Sequence, residues 1–197
     1  SYEGSLWSQG IFPIDSISIL KEHRTEGFLD QNEEKKMDWD TLKEKVKKQG
    51  IRNSNVMAIA PTATIANITG VTQSIEPTYS NLFVKSNLSG EFTVINENLV
   101  NALKEIDMWD EVMVYDLKNL NGSLETISRV PDEIKRIFAT SFEIEPKWLI
   151  ESASRRQKWI DQSQSLNLYV AEPNGKKLDV MYKICLLYTS DAADEVD

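Results

Sequence analysis

Apolar positions along this chain fall into short runs whose period switches between that of a helix and that of a strand. Trp39, Leu42 and Val46 recur at spacings of three and four. Asp38 stands where it would cap that helix, Lys45, Lys47 and Lys48 occupy its last turn, and Gly50 ends it. Asn96 precedes Leu99, Val100 and Leu103 on one face, and Asp110–Leu120 reads as a further helix stopped by Asn121-Gly122. Pro131 and Asp132 open a helix carrying Ile134, Ile137 and Phe138. Pro146 opens a longer one with Leu149, Ala153 and Ile160 on its stripe. A short helix is predicted near Asp15, from Ile14, Ile17 and Leu20 after Pro13. The turn Pro173-Asn174-Gly175 leads into a last helix over Lys177–Ile184.

Between these lie strand patterns. Val56–Ala60 is a continuous apolar run that predicts a buried strand, Leu166–Val170 predicts a second, and Asn81–Ser86 with Glu91–Ile95 predicts a strand pair around Ser89-Gly90. Glu22–Lys36 is charged and predicts an exposed connection. Strands alternating with helices predict an α/β fold with parallel strands. No internal repeat or low-complexity segment interrupts the pattern.

Composition narrows the function classes. The chain has 197 residues, 41% of them hydrophobic, with five Trp and six Phe, as a packed globular protein would. Its formal charge is −9, from 31 acidic against 22 basic residues, which argues against DNA or RNA as partner. No apolar run is long enough to span a bilayer, so no membrane partner is expected. The start SYEGSLWSQG has neither the basic region nor the apolar core of a signal peptide, which fits a cytoplasmic protein, and its lack of Met suggests a fragment. Cys185 is the only cysteine and His23 the only histidine. Neither a Ser-His-Asp triad nor a His/Cys zinc site is therefore expected within the chain. His23 itself, in a charged segment, reads as a solvated surface residue.

The richest stretch is Arg52–Pro77, RNSNVMAIAPTATIANITGVTQSIEP. An apolar run turns at Pro61 into small and hydroxyl residues and then into a helical turn through Ile65–Ile68. A strand running into a helix start leaves backbone N–H groups aimed outward, and with the helix dipole they make an anion site. Proline fixes the entry to the turn. Thr62 and Thr64 can donate hydroxyl bonds, Ala63 lets the backbone come close, and Ile65 offers only its backbone. By spacing alone an ordinary capped helix after a strand fits as well.

The string resembles the substrate-phosphate loop of the large (α) subunit of class I ribonucleotide reductases. Phe83–Asn96 (FVKSNLSGEFTVIN), Trp159–Glu172 (WIDQSQSLNLYVAE), Leu6–Asp15 (LWSQGIFPID) and Met37–Lys48 are similar to further segments of that family, in the same order. The resemblance covers positions 1–184. It implies the C-terminal part of a ten-stranded α/β barrel built from two antiparallel halves, not a complete barrel. It implies a substrate site at Pro61, Thr62, Ala63, Thr64 and Ile65 that holds the diphosphate of a ribonucleoside diphosphate. The activity implied for the complete protein is reduction of that substrate to the 2′-deoxyribonucleoside diphosphate through a transient cysteine radical. The implied reacting Cys, Asn and Glu residues, the Tyr-Tyr pair and the nucleotide effector sites lie outside residues 1–197, so no catalytic residue is assigned and the chain alone is expected to be inactive. A metal-containing small (β) radical-generating subunit, a thioredoxin-type reductant and a homodimer of the large subunit are further implications. A cobalamin-dependent class II reductase shares the fold and a related loop, although the SGEF and DQSQSLN strings favour class I. A non-catalytic nucleotide-binding scaffold derived from this fold is the reading from a different class.

The family pattern stops after Ile184. Residues 185–197, CLLYTSDAADEVD, are similar to translated sequencing adaptor and are expected to be a non-native tail, or else a disordered acidic terminus. Removing the tail's Asp191, Asp194, Glu195 and Asp197 takes the charge from −9 to −5 and removes the only cysteine.

Other residues carry quieter expectations. Glu76 precedes Pro77 and reads as a turn carboxylate bonded to nearby N–H groups. Arg52 and Asn53 read as hydrogen-bonders that fix the strand entry. Asp161, Gln162 and Ser163 either line the barrel mouth or anchor loops. Trp7, Trp39, Trp109, Trp148 and Trp159 read as core or packing residues. Neither Tyr182 nor Tyr188 is assigned to a radical relay.

Overall fold

The structure, a computed structural model, describes residues 2–23, 33–88 and 90–188. Its helices are α1 (Ser16–His23), α2 (Trp39–Gln49), α3 (Ala63–Thr69), α4 (Glu97–Glu105), α5 (Glu111–Asn119), α6 (Asp132–Ile137), α7 (Pro146–Gln157) and α8 (Gly175–Tyr188). Two strands, β1 (Leu82–Asn87) and β2 (Gly90–Ile95), form an antiparallel hairpin with Leu82 opposite Ile95 and Asn87 opposite Gly90. The described residues form two compact units. One comprises residues up to Ile75, Pro146–Asn167 and the chain from Pro173; the other comprises Glu76–Glu145 and Leu168–Glu172.

The first unit is built on Trp7, Phe12, Ile14, Trp39 and Val46, with Tyr2, Leu42, Ile51 and Trp159 packed against them. Burying side chains of this size contributes roughly 1.5–3 kcal/mol each. The α2 stripe is the one its spacing predicts. Its cap is also as predicted: Asp38 accepts the Thr41 N–H at 3.0 Å, and the Thr41 side chain together with that N–H holds the carboxyl below its ordinary pKa. Lys43 then reaches Asp15 at 2.6 Å, and the same Asp15 side chain accepts the Phe12 N–H at 2.9 Å. Along α7, Leu149, Ile150 and Ala153 are buried, and Ile160 is buried just beyond the helix end.

In the second unit, Leu99 and Leu103 of α4 meet Met113 and Leu117 of α5, together with Leu124, Ile127 and Val130. Asn96 caps α4 by accepting the Asn98 and Leu99 N–H groups. Asp110 caps α5 through Met113 N–H at 2.7 Å. Asn81 ties the unit together from a fully buried position. Its Nδ2 donates to the carbonyls of Gly122 (3.0 Å) and Phe138 (2.8 Å), and its Oδ1 accepts from Asn96 Nδ2 (2.9 Å). Ile134 and Phe138 pack on the core as predicted for α6, whereas Ile137 is exposed.

Three expectations are corrected. Val56–Ala60 is not a buried strand: Val56 and Met57 are each 55% exposed, and Ile59 makes one isolated parallel bridge, to Gln164. Leu166–Val170 forms no strand either. An apolar run becomes a strand only when a neighbouring segment pairs with its backbone over several residues. Ile59 pairs instead with Gln164 and Ser165, which precede the second run. Trp148 is not a core residue; it is 59% exposed, with Lys147 Nζ over its ring at 5.8 Å.

Residues 24–32 of the predicted connection, and the side chain of His23, lie outside the described residues. Helix α8 continues past Ile184 through Tyr188, and the chain from 189 onward lies outside them too.

Candidate functional site

The loop at Pro61–Ile65 is approached by a segment that a carboxylate, rather than a sheet, holds in place. Asp161 accepts the N–H of Val56 at 2.8 Å on Oδ2 and that of Met57 at 2.7 Å on Oδ1. Its own N–H donates to the Met57 carbonyl at 3.3 Å. Two residues further along, Ser165 N–H donates to the Ile59 carbonyl at 2.8 Å. Gln164 links this corner to α7, donating to the carbonyl of Ala153 at 2.7 Å and to the Gln157 side chain at 2.9 Å. Of the two roles open to Asp161 in the sequence, the hydrogen bonds select loop anchoring. Gln162 and Ser163 are exposed.

At Pro61 the chain leaves this corner. Thr62 then adopts the left-handed conformation, φ 55° and ψ 24°, uncommon for a β-branched residue. A residue held there costs about 1–3 kcal/mol unless its surroundings fix it. They do so from both sides. The Thr62 carbonyl accepts the Ala66 N–H at 2.7 Å, which starts α3, and its Oγ1 accepts the Ser74 N–H at 3.1 Å. The same Ser74 N–H reaches the Pro61 carbonyl at 3.2 Å, so the chain returning after α3 is pinned across the loop. Ala66 is the buried peg of the short helix, and Gly70, φ 70°, closes it.

The five loop residues are thus contiguous and mostly at the surface. Pro61, Ala63, Thr64 and Ile65 are exposed and Thr62 is half-buried. Ala63, Thr64 and Ile65 form the first turn of α3, whose N–H groups have no acceptor within the helix. Such a turn offers an anion several donors and the positive end of the helix dipole. The exposed Thr64 hydroxyl adds a further donor. The Thr62 oxygen is already engaged by Ser74. Ser74 Oγ is itself buried without a hydrogen-bond partner among the described residues.

Sequence reasoning passed over Ser74 and Gln164. No local pattern marks either one, because their partners lie 12 positions away for Ser74 and up to 11 for the helix contacts of Gln164. Glu76 is buried, at 8% exposure, in keeping with a structural carboxylate. Arg52 and Asn53 are exposed, and Asp161 holds the Val56 and Met57 N–H groups that follow them. Among the described residues, no group of three His, Cys, Asp or Glu side chains is arranged to hold a metal ion. No helix among them is long and apolar enough to cross a membrane.

A separate open cleft of about 440 Å³ lies along α7, lined by Trp148, Glu151, Ser152, Arg155, Arg156 and Trp159. Nothing in the sequence pattern singles it out.

Comparison with known proteins adds to this geometry. A family model described as the barrel domain of ribonucleotide reductase matches residues 1–185. A ribonucleoside-diphosphate reductase subunit alpha of Chlamydia trachomatis is 58% identical over 182 residues, covering 92% of this chain and 17% of that protein. A ribonucleoside-diphosphate reductase large subunit of Plasmodium falciparum is 41% identical, covering 92% of this chain and 21% of its own length. Among solved structures, the class Id ribonucleotide reductase alpha subunit of Actinobacillus ureae superposes with a TM-score of 0.59 at 26% identity, over 92% of this chain and 34% of that one. The chain therefore spans about a fifth of the curated relatives it matches.

Proposed function

The chain belongs to the ribonucleotide reductase barrel-domain family, as part of a barrel that it does not itself close, and on that premise we propose that its loop Pro61–Ile65 anchors the diphosphate of a ribonucleoside diphosphate. The observation that carries this reading is the exposed first turn of α3, held by Thr62 and Ser74 on one side and led in by the segment that Asp161 grips. Donors fixed before the ligand arrives need no reorganisation to receive it, which is what an anchoring site requires.

The activity proposed for the complete protein is reduction of ribonucleoside diphosphates to 2′-deoxyribonucleoside diphosphates by a thiyl-radical mechanism in the cytoplasm. The radical-forming and reducing cysteines would lie in other parts of the complete polypeptide. This chain's share is to bind and orient the phosphate end, so that the ribose of the substrate is presented at one fixed distance from the anchor. A metal-containing small subunit would generate the radical, a thioredoxin-type protein would restore the reducing thiols, and the large subunit would act as a homodimer. The 197-residue chain alone should show no turnover.

Residues 1–184 are proposed as the barrel segment and 185–197 as a tail of other origin. Sequencing the source DNA across codons 184 and 185 tests that boundary. The site assignment is tested by substrate kinetics of a complete large subunit carrying Ala63→Asp: a raised KM supports it and an unchanged KM refutes it.

A further inference from the structure

Two Asn-Gly pairs stand at opposite ends of helices. Asn174-Gly175 opens α8, and Asn121-Gly122 closes α5. Such a pair can modify itself. The glycine amide nitrogen, deprotonated, attacks the asparagine Cγ, ammonia leaves, and water opens the resulting succinimide to aspartate or isoaspartate. No oxidant or cofactor takes part. The rate depends on how free and how acidic the glycine N–H is, how electrophilic Cγ is, and whether the backbone has room to bend.

At Asn174 each factor favours the reaction. The residue is exposed and caps α8: its Oδ1 accepts the Lys177 N–H at 2.9 Å and its carbonyl the Leu178 N–H at 3.0 Å. Gly175 therefore lies in the first turn, where its N–H has no acceptor within the helix. The positive end of the helix dipole favours the deprotonated nitrogen. The Lys177 N–H, already aimed at Oδ1, stabilises the oxyanion that forms when Cγ is attacked. A Cβ placed on Gly175 would meet nothing within 4 Å, so there is room to bend.

At Asn121 the freedom of the glycine N–H, its acidity and the room to bend are reversed. Gly122 N–H donates to the Leu117 carbonyl at 2.7 Å, and the peptide sits at the negative end of α5. Ser80 Oγ donates to the Asn121 carbonyl at 2.7 Å, and Asn81 Nδ2 to the Gly122 carbonyl at 3.0 Å. Gly122 is buried, and a Cβ built on it would lie 2.6 Å from the backbone nitrogens of Asn81 and Leu82, so the peptide has no space to turn.

We propose that Asn174-Gly175 is a spontaneous deamidation site of the folded chain, whose product is aspartate or isoaspartate at the α8 cap, and that the fold shields the chemically identical Asn121-Gly122. Isoaspartate would add an atom to the main chain at the cap and unseat the first turn of α8.

The test incubates the 197-residue chain in mildly alkaline buffer, with and without denaturing urea, and follows both peptides by mass spectrometry after digestion. In buffer, deamidation at Asn174 should outpace that at Asn121 by at least about tenfold, the factor expected when several hydrogen bonds must break before Gly122 can react. In urea the two rates should converge. Gly175→Ala should slow the reaction at Asn174 and leave Asn121 as it was. Equal rates in buffer, a slow Asn121 that persists in urea, or an unaffected Gly175→Ala would each overturn the proposal.

Discussion

The indole Nε1 of Trp7 donates to Oδ2 of Asp161 at 2.8 Å, joining positions 154 apart in the chain. That carboxylate also accepts the N–H groups of Val56 and Met57. One side chain thus fastens the N-terminal turn, the lead-in to the loop Pro61–Ile65 and the segment after α7. Hydrogen bonds to an ionised acceptor are stronger than neutral ones. Here they stand in for the sheet neighbours that the lead-in lacks among the described residues.

Removing that carboxylate should loosen the first unit. Asp161→Ala deletes three acceptor contacts and is expected to cost about 2–4 kcal/mol, where a single hydrogen bond to a charged group contributes about 1.5–3 kcal/mol. Trp7→Phe loses the indole bond while keeping an aromatic ring, and should cost about 1–2 kcal/mol. Urea unfolding of the 197-residue chain reads both values. An Asp161→Ala midpoint indistinguishable from that of the parent would show that the contacts are not needed.

The contrast between helices and strands explains what the sequence made legible. Each capped helix carries its own instructions: Asp38 with Thr41, Asn96 with Leu99, and Asp110 with Met113 all lie within one turn. The hairpin is similarly local, with Asn87 opposite Gly90. Val56–Ala60 reads as a strand because it is apolar, but a parallel strand is completed by segments far away in sequence, and its one bridge is to Gln164. The loop Pro61–Ile65 stands out in the sequence as a string, and Asp161 is singled out there as a loop anchor, but neither its partners nor Ser74 can be read from it. Ser74 and Asp161 act through bonds that no periodicity encodes. Trp148 failed for another reason: it lies one residue from Leu149, and on a helix neighbouring positions face different ways.

Gly122 should tolerate no side chain. Its φ is 78°, and a Cβ would press on Ser80 Oγ and on the backbone nitrogens of Asn81 and Leu82. Gly122→Ala is expected to destabilise the second unit by about 3 kcal/mol or more. Adding Ser80→Ala should recover only part of this loss, because the backbone contacts remain. Full recovery in the double variant, measured by thermal or urea unfolding, would place the whole conflict at the hydroxyl.

The pair Asp110–Arg129 should make stability depend on pH in one direction. The two terminal guanidinium nitrogens, Nη1 and Nη2, each lie 2.6 Å from a carboxylate oxygen, and with the Met113 N–H they hold the Asp110 carboxyl well below the usual carboxylate range. A depressed carboxyl binds fewer protons folded than unfolded, so its contribution is complete above the ordinary value of about 3.9 and fades as the pH falls below it. Arg129 stays charged throughout. Asp110→Asn should therefore be less stable than the parent at neutral pH, and the gap should narrow in acid. Urea midpoints of both proteins across that range test this; a constant gap would contradict it.

Ala63→Asp separates anion binding from loop folding. A carboxylate in the first turn of a helix interacts favourably with the dipole, so α3 should form at least as well as before. A bound diphosphate would instead meet a like charge at close range. In a complete large subunit this should raise KM for the nucleoside diphosphate by about tenfold or more, with a smaller effect on kcat. Ala63→Asn has nearly the same shape without the charge and should shift KM far less. Thr62→Pro breaks the loop differently, because proline cannot reach the φ of 55° that Thr62 adopts; it should damage folding as well as binding. If Ala63→Asp and Ala63→Asn raise KM equally, steric bulk rather than charge is at work, and if neither changes it, the diphosphate is held elsewhere.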